Sequence, residues 1–261
     1  EEHRDTRLDQ VGPSSVRHDI SMLNRIYETA RVKWRMKDLE NPGKDVRLPA
    51  EPPNRKKIIY EQQFPLFFEE CRKSKNTMLY PLVKLMLSTG MRPTEAILLR
   101  WGFIDLQNGV IDLTVTKTDD PRRIPMAPQA MEILEELRGD EKEDHELVFI
   151  TEDVAASSRP ERFFRRAFEQ ACIRSGINRP KKRDVSKKRA AAMTDHDFGR
   201  NVTLYTLRHS AATYLLMHGK DIRTVADILG HKSISQTMKY THMVDEHKKS
   251  AVSNPDLPWN K

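Results

Sequence analysis

Residues 204–242 read LYTLRHSAATYLLMHGKDIRTVADILGHKSISQTMKYTH, a stretch that spells out three helices and the stops between them. Leu207, Ala211, Leu215 and Leu216 return at helical spacing, which predicts an amphipathic helix over 206–218. Gly219 ends it. Asp221 suits the N-cap of a second helix over 221–229, because its carboxylate can accept amide protons that a first turn leaves unpaired. Gly230 stops that helix, and a third runs over about 233–240. Three residues stand out on this frame: Arg208 near the start of the first helix, His231 directly after Gly230, and Tyr240 closing the third. Singly, each has a plain structural reading as a surface charge, a capping histidine and a half-buried aromatic.

Moving outward, the rest of the chain is mostly helical. Helices are expected over 14–36, where Ile20, Leu23, Tyr27, Ala30 and Trp34 form a stripe ended by Asn41-Pro42-Gly43, and over 61–73 and 77–88, the last stopped by Gly90. Pro93 fits a first turn, with helix continuing from Thr94 to Trp101. Val110 to Val115 alternates as a strand after the turn pair Asn108-Gly109, and Arg122 to Met126 forms the next extended segment. Further helices are expected over 128–138 and 160–175. The expected fold is therefore mainly α with one small antiparallel β-sheet (α+β). The segment KDVRLPAEPPNRKK at 44–57 is Pro-rich, basic and aperiodic, the signature of a linker.

Composition narrows the partners. Lys and Arg outnumber Asp and Glu by 45 to 38, a net charge of +7, which suits a polyanionic partner without requiring one. The densest basic run, RPKKRDVSKKR at 179–189, offers Lys181, Lys182, Arg183, Lys187 and Lys188 as phosphate contacts; in isolation it reads as a solvated loop. Cys71 and Cys172 lack metal-ligand or CxxC spacing, and Cys172 sits on an apolar stripe, so buried reduced thiols in a cytoplasmic setting are expected. No apolar run approaches the roughly 20 residues a bilayer span needs, so no membrane role is expected. The N-terminus is no signal peptide and lacks an initiator Met, so the chain is expected to be a trimmed fragment.

Two upstream phrases join the opening stretch. In STGMRPTEAILLRW at 88–101, Arg92 sits between a helix stop and Pro93, with Glu95 three residues on to brace its guanidinium. In TKTDDPRRIPM at 116–126, Lys117 lies in a β-turn region, followed by Arg122 and Arg123. These residue types suit attack on a phosphodiester, whose anionic oxygens repel a nucleophile and whose leaving alkoxide is a strong base. Such a site needs cationic donors on the non-bridging oxygens, a proton donor for the leaving group, and a nucleophile. Arginine supplies a planar, permanently charged fork. A tyrosine phenolate leaves about as easily as it attacks, so the bond energy is stored rather than lost to water. Arg122 and Arg123 suit phosphate contact but are poor proton donors at neutral pH.

Together these phrases resemble the tyrosine recombinase, or phage-integrase, family of site-specific recombinases. Residues 58–261 look like its catalytic domain, 50–57 like a linker, and 1–49 like the last part of a helical core-binding domain that binds DNA. The family's version of that unit has several more helices, so the resemblance implies that the chain starts inside it. The resemblance implies a catalytic set of Arg92, Lys117, Tyr205, Arg208, His231 and Tyr240, supported by Glu95 and His209. Tyr240 would form a 3′-phosphotyrosyl bond, and Lys117 would protonate the departing 5′ oxygen. No metal or other cofactor is implied. The implied partners are double-stranded DNA recombination sites, held in a C-shaped clamp. The protein would be a monomer when free and a homotetramer on synapsed DNA, with accessory DNA-bending or directionality proteins. Residues 243–261 would pack on a neighbouring protomer, or else fray. The implied location is the bacterial cytoplasm, associated with the nucleoid.

One position departs from the family pattern. Its second box usually reads His-x-x-Arg-His, whereas here it is Tyr205-Thr206-Leu207-Arg208-His209. A phenol is a poor base at neutral pH, so Tyr205 is expected to contact phosphate, and the general base stays open. His209 lies about 100° around the helix from Arg208 and should not simply replace the missing imidazole. The implied function is integration or excision of a phage or genomic island. The alternatives are a transposase or DNA-inverting recombinase, a DNA-binding protein with a degenerate site, and a type IB topoisomerase. The phrases RHSAAT and LGH look more like a recombinase than the last.

Overall fold

In the computed structural model the described residues are 1–50, 57–113, 121–139, 143–151, 159–178 and 202–241. Lys117, Lys181, Lys182, Arg183, Lys187, Lys188 and the tail at 243–261 lie outside them. The chain divides into two compact units, Glu1–Arg55 and Lys56–Lys261.

The first unit carries α1 (Glu2–Gln10) and α2 (Pro13–Lys33). α1 was not anticipated, because EHRDTRLDQ has almost no apolar residue to show a period. α2 stops three residues earlier than expected, since Arg35 takes a left-handed φ of 59°. Its stripe is only partly covered: Val16, Ile20 and Ala30 are buried, while Leu23 and Trp34 are exposed.

The second unit is built around α4 (Leu79–Thr89), whose Leu79, Leu82, Val83, Leu85 and Met86 are all fully buried. Burial of each such side chain is worth about 1.5–3 kcal/mol, and truncating one, Leu85→Ala for example, costs about 2–5 kcal/mol. α3 (Phe64–Arg72) packs against α7 (Glu161–Arg174), with Phe67 edge-on to Phe168 at 5.6 Å between ring centres. α8 (Leu204–Met217) lies along α4, and Ser210 of α8 accepts the Ile59 amide at 3.0 Å. Cys71 and Cys172 are buried, and burial pushes the Cys71 thiol up to about 12.

α5 (Pro93–Ile97) is shorter than the expected helix to Trp101. The reason is nonlocal: Leu99 accepts the Val148 amide at 2.9 Å and the Trp101 amide goes to Glu146 at 3.1 Å, so this backbone pairs across the chain instead of along a helix. Three antiparallel strands follow in the order β1 (Ile104–Asp105), β2 (Val110–Leu113) and β3 (Arg122–Pro125). Ile111 pairs with Ile124 and Leu113 with Arg122. Ile124 and Arg122, two residues apart, both point inward, while Arg123 is exposed. The remaining helices are α6 (Pro128–Arg138), α9 (Ile222–Leu229) and α10 (Ile234–Met238). The mainly α architecture with one small antiparallel sheet is as expected from the sequence. Among the described residues, no helix is long and apolar enough to cross a membrane.

Candidate active site

Two glycine stops position the site. Gly90 after α4 and Gly230 after α9 both take φ of 65°, a conformation that only glycine adopts without strain. They turn the carbonyls of Gly90 and Leu229 toward α8, where the Arg208 guanidinium donates to both, at 2.9 and 2.7 Å. Arg208 is only 3% exposed, so it links three helix ends from inside the fold. Burial, with Arg92 and Arg122 nearby, lowers it to about 10, still charged at neutral pH.

Arg92 precedes Pro93 in extended conformation, and the turn of α5 brings Glu95 back beneath it. Glu95 accepts the Arg92 amide at 2.8 Å and its guanidinium at 3.0 Å, and Arg92 also reaches the Gly230 carbonyl at 3.4 Å. Behind them Arg122 donates twice to the same carboxylate. Burial works against the charge on Glu95, but Arg122 and Arg92 outweigh it and hold the carboxyl below its ordinary range. Arg122, expected as a phosphate contact, is thus a buried brace behind Arg92. Period-two alternation with Ile124 was the signal for that inward placement. Arg123 does face solvent, beside Asp112 at 3.6 Å.

His231 follows Gly230, and its Nδ1 meets Thr237 Oγ1 at 2.7 Å. Thr237 is fully buried on α10, so this contact fixes the imidazole plane. Tyr240 lies two residues beyond α10 and is 3% exposed, packed with Ala212, Leu216, Val225 and Leu229. Its ring is nearly parallel to His231, at 6.3 Å and 7°. Its hydroxyl meets Nδ1 of His209 at 2.9 Å. Burial raises the Tyr240 phenol above its ordinary range, offset in part by Arg208 and Arg92.

Arg92, Tyr205, Arg208, His209, His231 and Tyr240 line one shallow pocket of about 300 Å³ with Gln236 and Lys239. The sequence reading missed the last two, because short polar helices such as α10 carry no periodic signal to orient them. Tyr205 is half exposed, in keeping with a wall position. The pocket is small, rimmed by cationic and imidazole groups, and has a phenol at its edge. That combination suits one tetrahedral oxyanion flanked by a nucleophile.

Residues 57–247 match the model of the phage integrase family. The Haemophilus phage HP1 integrase is 29% identical over 245 residues, which is 93% of this chain and 60% of that protein. The shufflon-specific DNA recombinase of Escherichia coli is 28% identical over 253 residues, 92% of this chain and 56% of that one. The chain thus spans little more than half the length of these relatives. The solved catalytic domain of the bacteriophage HP1 integrase superposes with a TM-score of 0.52 at 25% identity, covering 78% of this chain and 98% of that domain. A lambda integrase dimer bound to a core site superposes with a TM-score of 0.67 over 92% of this chain and 77% of that chain; at 18% identity, this likeness speaks to the fold alone. With 191 of its 261 residues inside the match, the chain belongs to the phage integrase family.

Proposed function

We propose that this protein is a site-specific DNA recombinase that cleaves and rejoins strands through a 3′-phosphotyrosyl intermediate, integrating or excising a phage or genomic island. The observation that carries this reading is the convergence of Arg92, Arg208, His231 and Tyr240 on one shallow, cation-rimmed pocket. Arg92 and Arg208 bind the non-bridging oxygens, where charge develops as phosphorus becomes five-coordinate. His231 and the Tyr205 hydroxyl donate to the same oxygens. Tyr240 attacks, and Lys117 protonates the departing 5′ oxygen. The 5′ hydroxyl of a partner strand then reverses the step.

The partner in this reading is a double-stranded recombination site. The helical unit Glu1–Arg55 serves as a core-binding unit on the DNA, and Arg123 with the basic run at 179–189 contacts backbone phosphates. Four protomers assemble on two synapsed sites, with accessory bending or directionality proteins, on nucleoid DNA in a bacterial cytoplasm. The likeness to a shufflon-specific recombinase favours DNA inversion as the second reading.

The test is covalent trapping. The full chain is incubated with a pool of nicked suicide duplexes carrying randomised cores, and adducts are isolated and sequenced. An adduct that maps to Tyr240 and disappears in Tyr240→Phe is expected. An adduct surviving in that variant removes the nucleophile assignment, and a chain that binds the pool without forming adducts is a DNA-binding protein instead.

A further inference from the structure

Position 205 carries a phenol where the family pattern has an imidazole, and a phenol is a poor acceptor for the proton that Tyr240 must lose. Two imidazoles stand within reach of the nucleophile, and the structure distinguishes them. His231 commits Nδ1 to Thr237, and its ring lies nearly parallel to that of Tyr240 with the centres 6.3 Å apart. His209 instead directs Nδ1 at the Tyr240 hydroxyl, 2.9 Å away, with its ring tilted 47° to the phenol. The geometry follows from the helix. Ala212 and Leu216 lie three and seven residues after His209, on the same face of α8, and pack with the Tyr240 ring. The 100° step that takes His209 away from Arg208 therefore turns it onto the nucleophile.

We infer that His209 is the general base for Tyr240, a role that rests on the cleavage reading above. The Nε2–H tautomer of His209 leaves Nδ1 free to accept. On attack, the phenol proton moves to His209 Nδ1, the Tyr240 oxygen–phosphorus bond forms, and the phosphorus–5′ oxygen bond breaks as Lys117 supplies that oxygen's proton. On rejoining, the incoming 5′ hydroxyl gives its proton to Lys117, and the His209 imidazolium returns its own to the departing phenolate. Tyr205 and Arg208 from α8, Arg92 before α5, His231 after α9 and Lys239 after α10 surround the pair, with Glu95 behind Arg92. Among them, Arg208 and Arg92 favour the Tyr240 phenolate against the cost of its burial.

The experiment measures single-turnover adduct formation against pH on the suicide duplex recovered from the randomised pool, with wild type, His209→Gln and Tyr240→Phe. Wild type should rise with pH and level off once an imidazole has lost its proton. His209→Gln should be slower by about 10²–10⁴-fold at pH 7 and keep rising through pH 9 as hydroxide takes over the task. A His209→Gln profile with the wild-type shape, at any rate, overturns the base assignment while the Tyr240→Phe control keeps the cleavage reading intact. Absence of adduct with wild type overturns both. Nitrogen-15 NMR of histidine-labelled free protein provides a second readout that does not depend on the variant's folding. The His209 Nδ1 resonance should be that of an unprotonated nitrogen and should move in Tyr240→Phe; a protonated Nδ1 overturns the assignment.

Discussion

Arg122 on β3 gives both terminal nitrogens of its guanidinium to Glu95 on α5, at 3.1 and 2.6 Å, so a strand and a helix meet through one buried ion pair. The same carboxylate carries Arg92 on its other side. Arg92 therefore owes its direction to a pair that does not face the pocket.

Removing the charge of Glu95 leaves Arg122 buried without a counter-ion. Glu95→Gln should lower stability by about 3 kcal/mol at pH 7. Because the folded carboxyl lies below its ordinary range, its contribution is full above about pH 4.3 and is lost as pH falls through the lowered value. Urea titrations of both proteins should show a gap that is constant near neutrality and narrows in acid. A gap that stays constant down to pH 3 would show that Glu95 holds no stabilised charge.

Gly230 is constrained twice, by a φ of 65° and by Arg122, whose Cδ would lie 2.7 Å from an added Cβ. Gly230→Ala should cost about 2 kcal/mol or more and slow adduct formation, since Arg92 leans on the Gly230 carbonyl. Gly219 has a φ of 78° but open space around it, so Gly219→Ala should cost only about 1 kcal/mol and leave cleavage unchanged. Thermal melts of the two variants give the comparison, and equal losses would refute the packing argument.

Arg208 and Arg92 should respond differently to lysine. Arg208→Lys cannot serve the Gly90 and Leu229 carbonyls together, so about 1–3 kcal/mol of stability should go with the activity. Arg92 is 21% exposed at its side chain, and Arg92→Lys should lose about 10²-fold or more in cleavage with a smaller loss of stability. Denaturation and trapping on the same preparations separate the two effects.

Tyr205 lines the pocket from an exposed position, so Tyr205→Phe should leave stability within about 0.5 kcal/mol of wild type. Loss of one hydrogen bond to phosphate should slow adduct formation about tenfold. A variant that cleaves as fast as its parent removes Tyr205 from the phosphate contacts.

Lys239 is an exposed cation on the pocket rim. Lys239→Ala should weaken DNA binding and reduce the slope of log affinity against log salt by about 1, with stability unchanged. Fluorescence anisotropy across a salt series measures that slope, and an unaltered slope means the side chain does not meet DNA.

Much of this was readable without coordinates. Helices over 128–138, 160–175, 206–218 and 221–229 fall within two residues of where apolar spacing and glycine stops put them, because those signals act within a few residues. What escaped was either featureless or nonlocal. α1 has no apolar period to detect, and α5 ends early because Leu99 and Trp101 pair with residues almost fifty positions away.

By itself the sequence determined the helical frame, the small hairpin sheet and the residue types gathered near the pocket. Each of those depends on local periodicity, on glycine's left-handed turn, or on the chemistry of the side chain. Tertiary structure alone decided what faces what. Arg122 looked like one of two adjacent phosphate contacts, yet strand parity turned it inward to Glu95. His209 looked misplaced relative to Arg208, yet the packing of Tyr240 on Ala212 and Leu216 put the phenol on its face of α8. A helix fixes the angle between two neighbouring side chains; only the packing of other elements against it settles which side chain meets the Tyr240 hydroxyl.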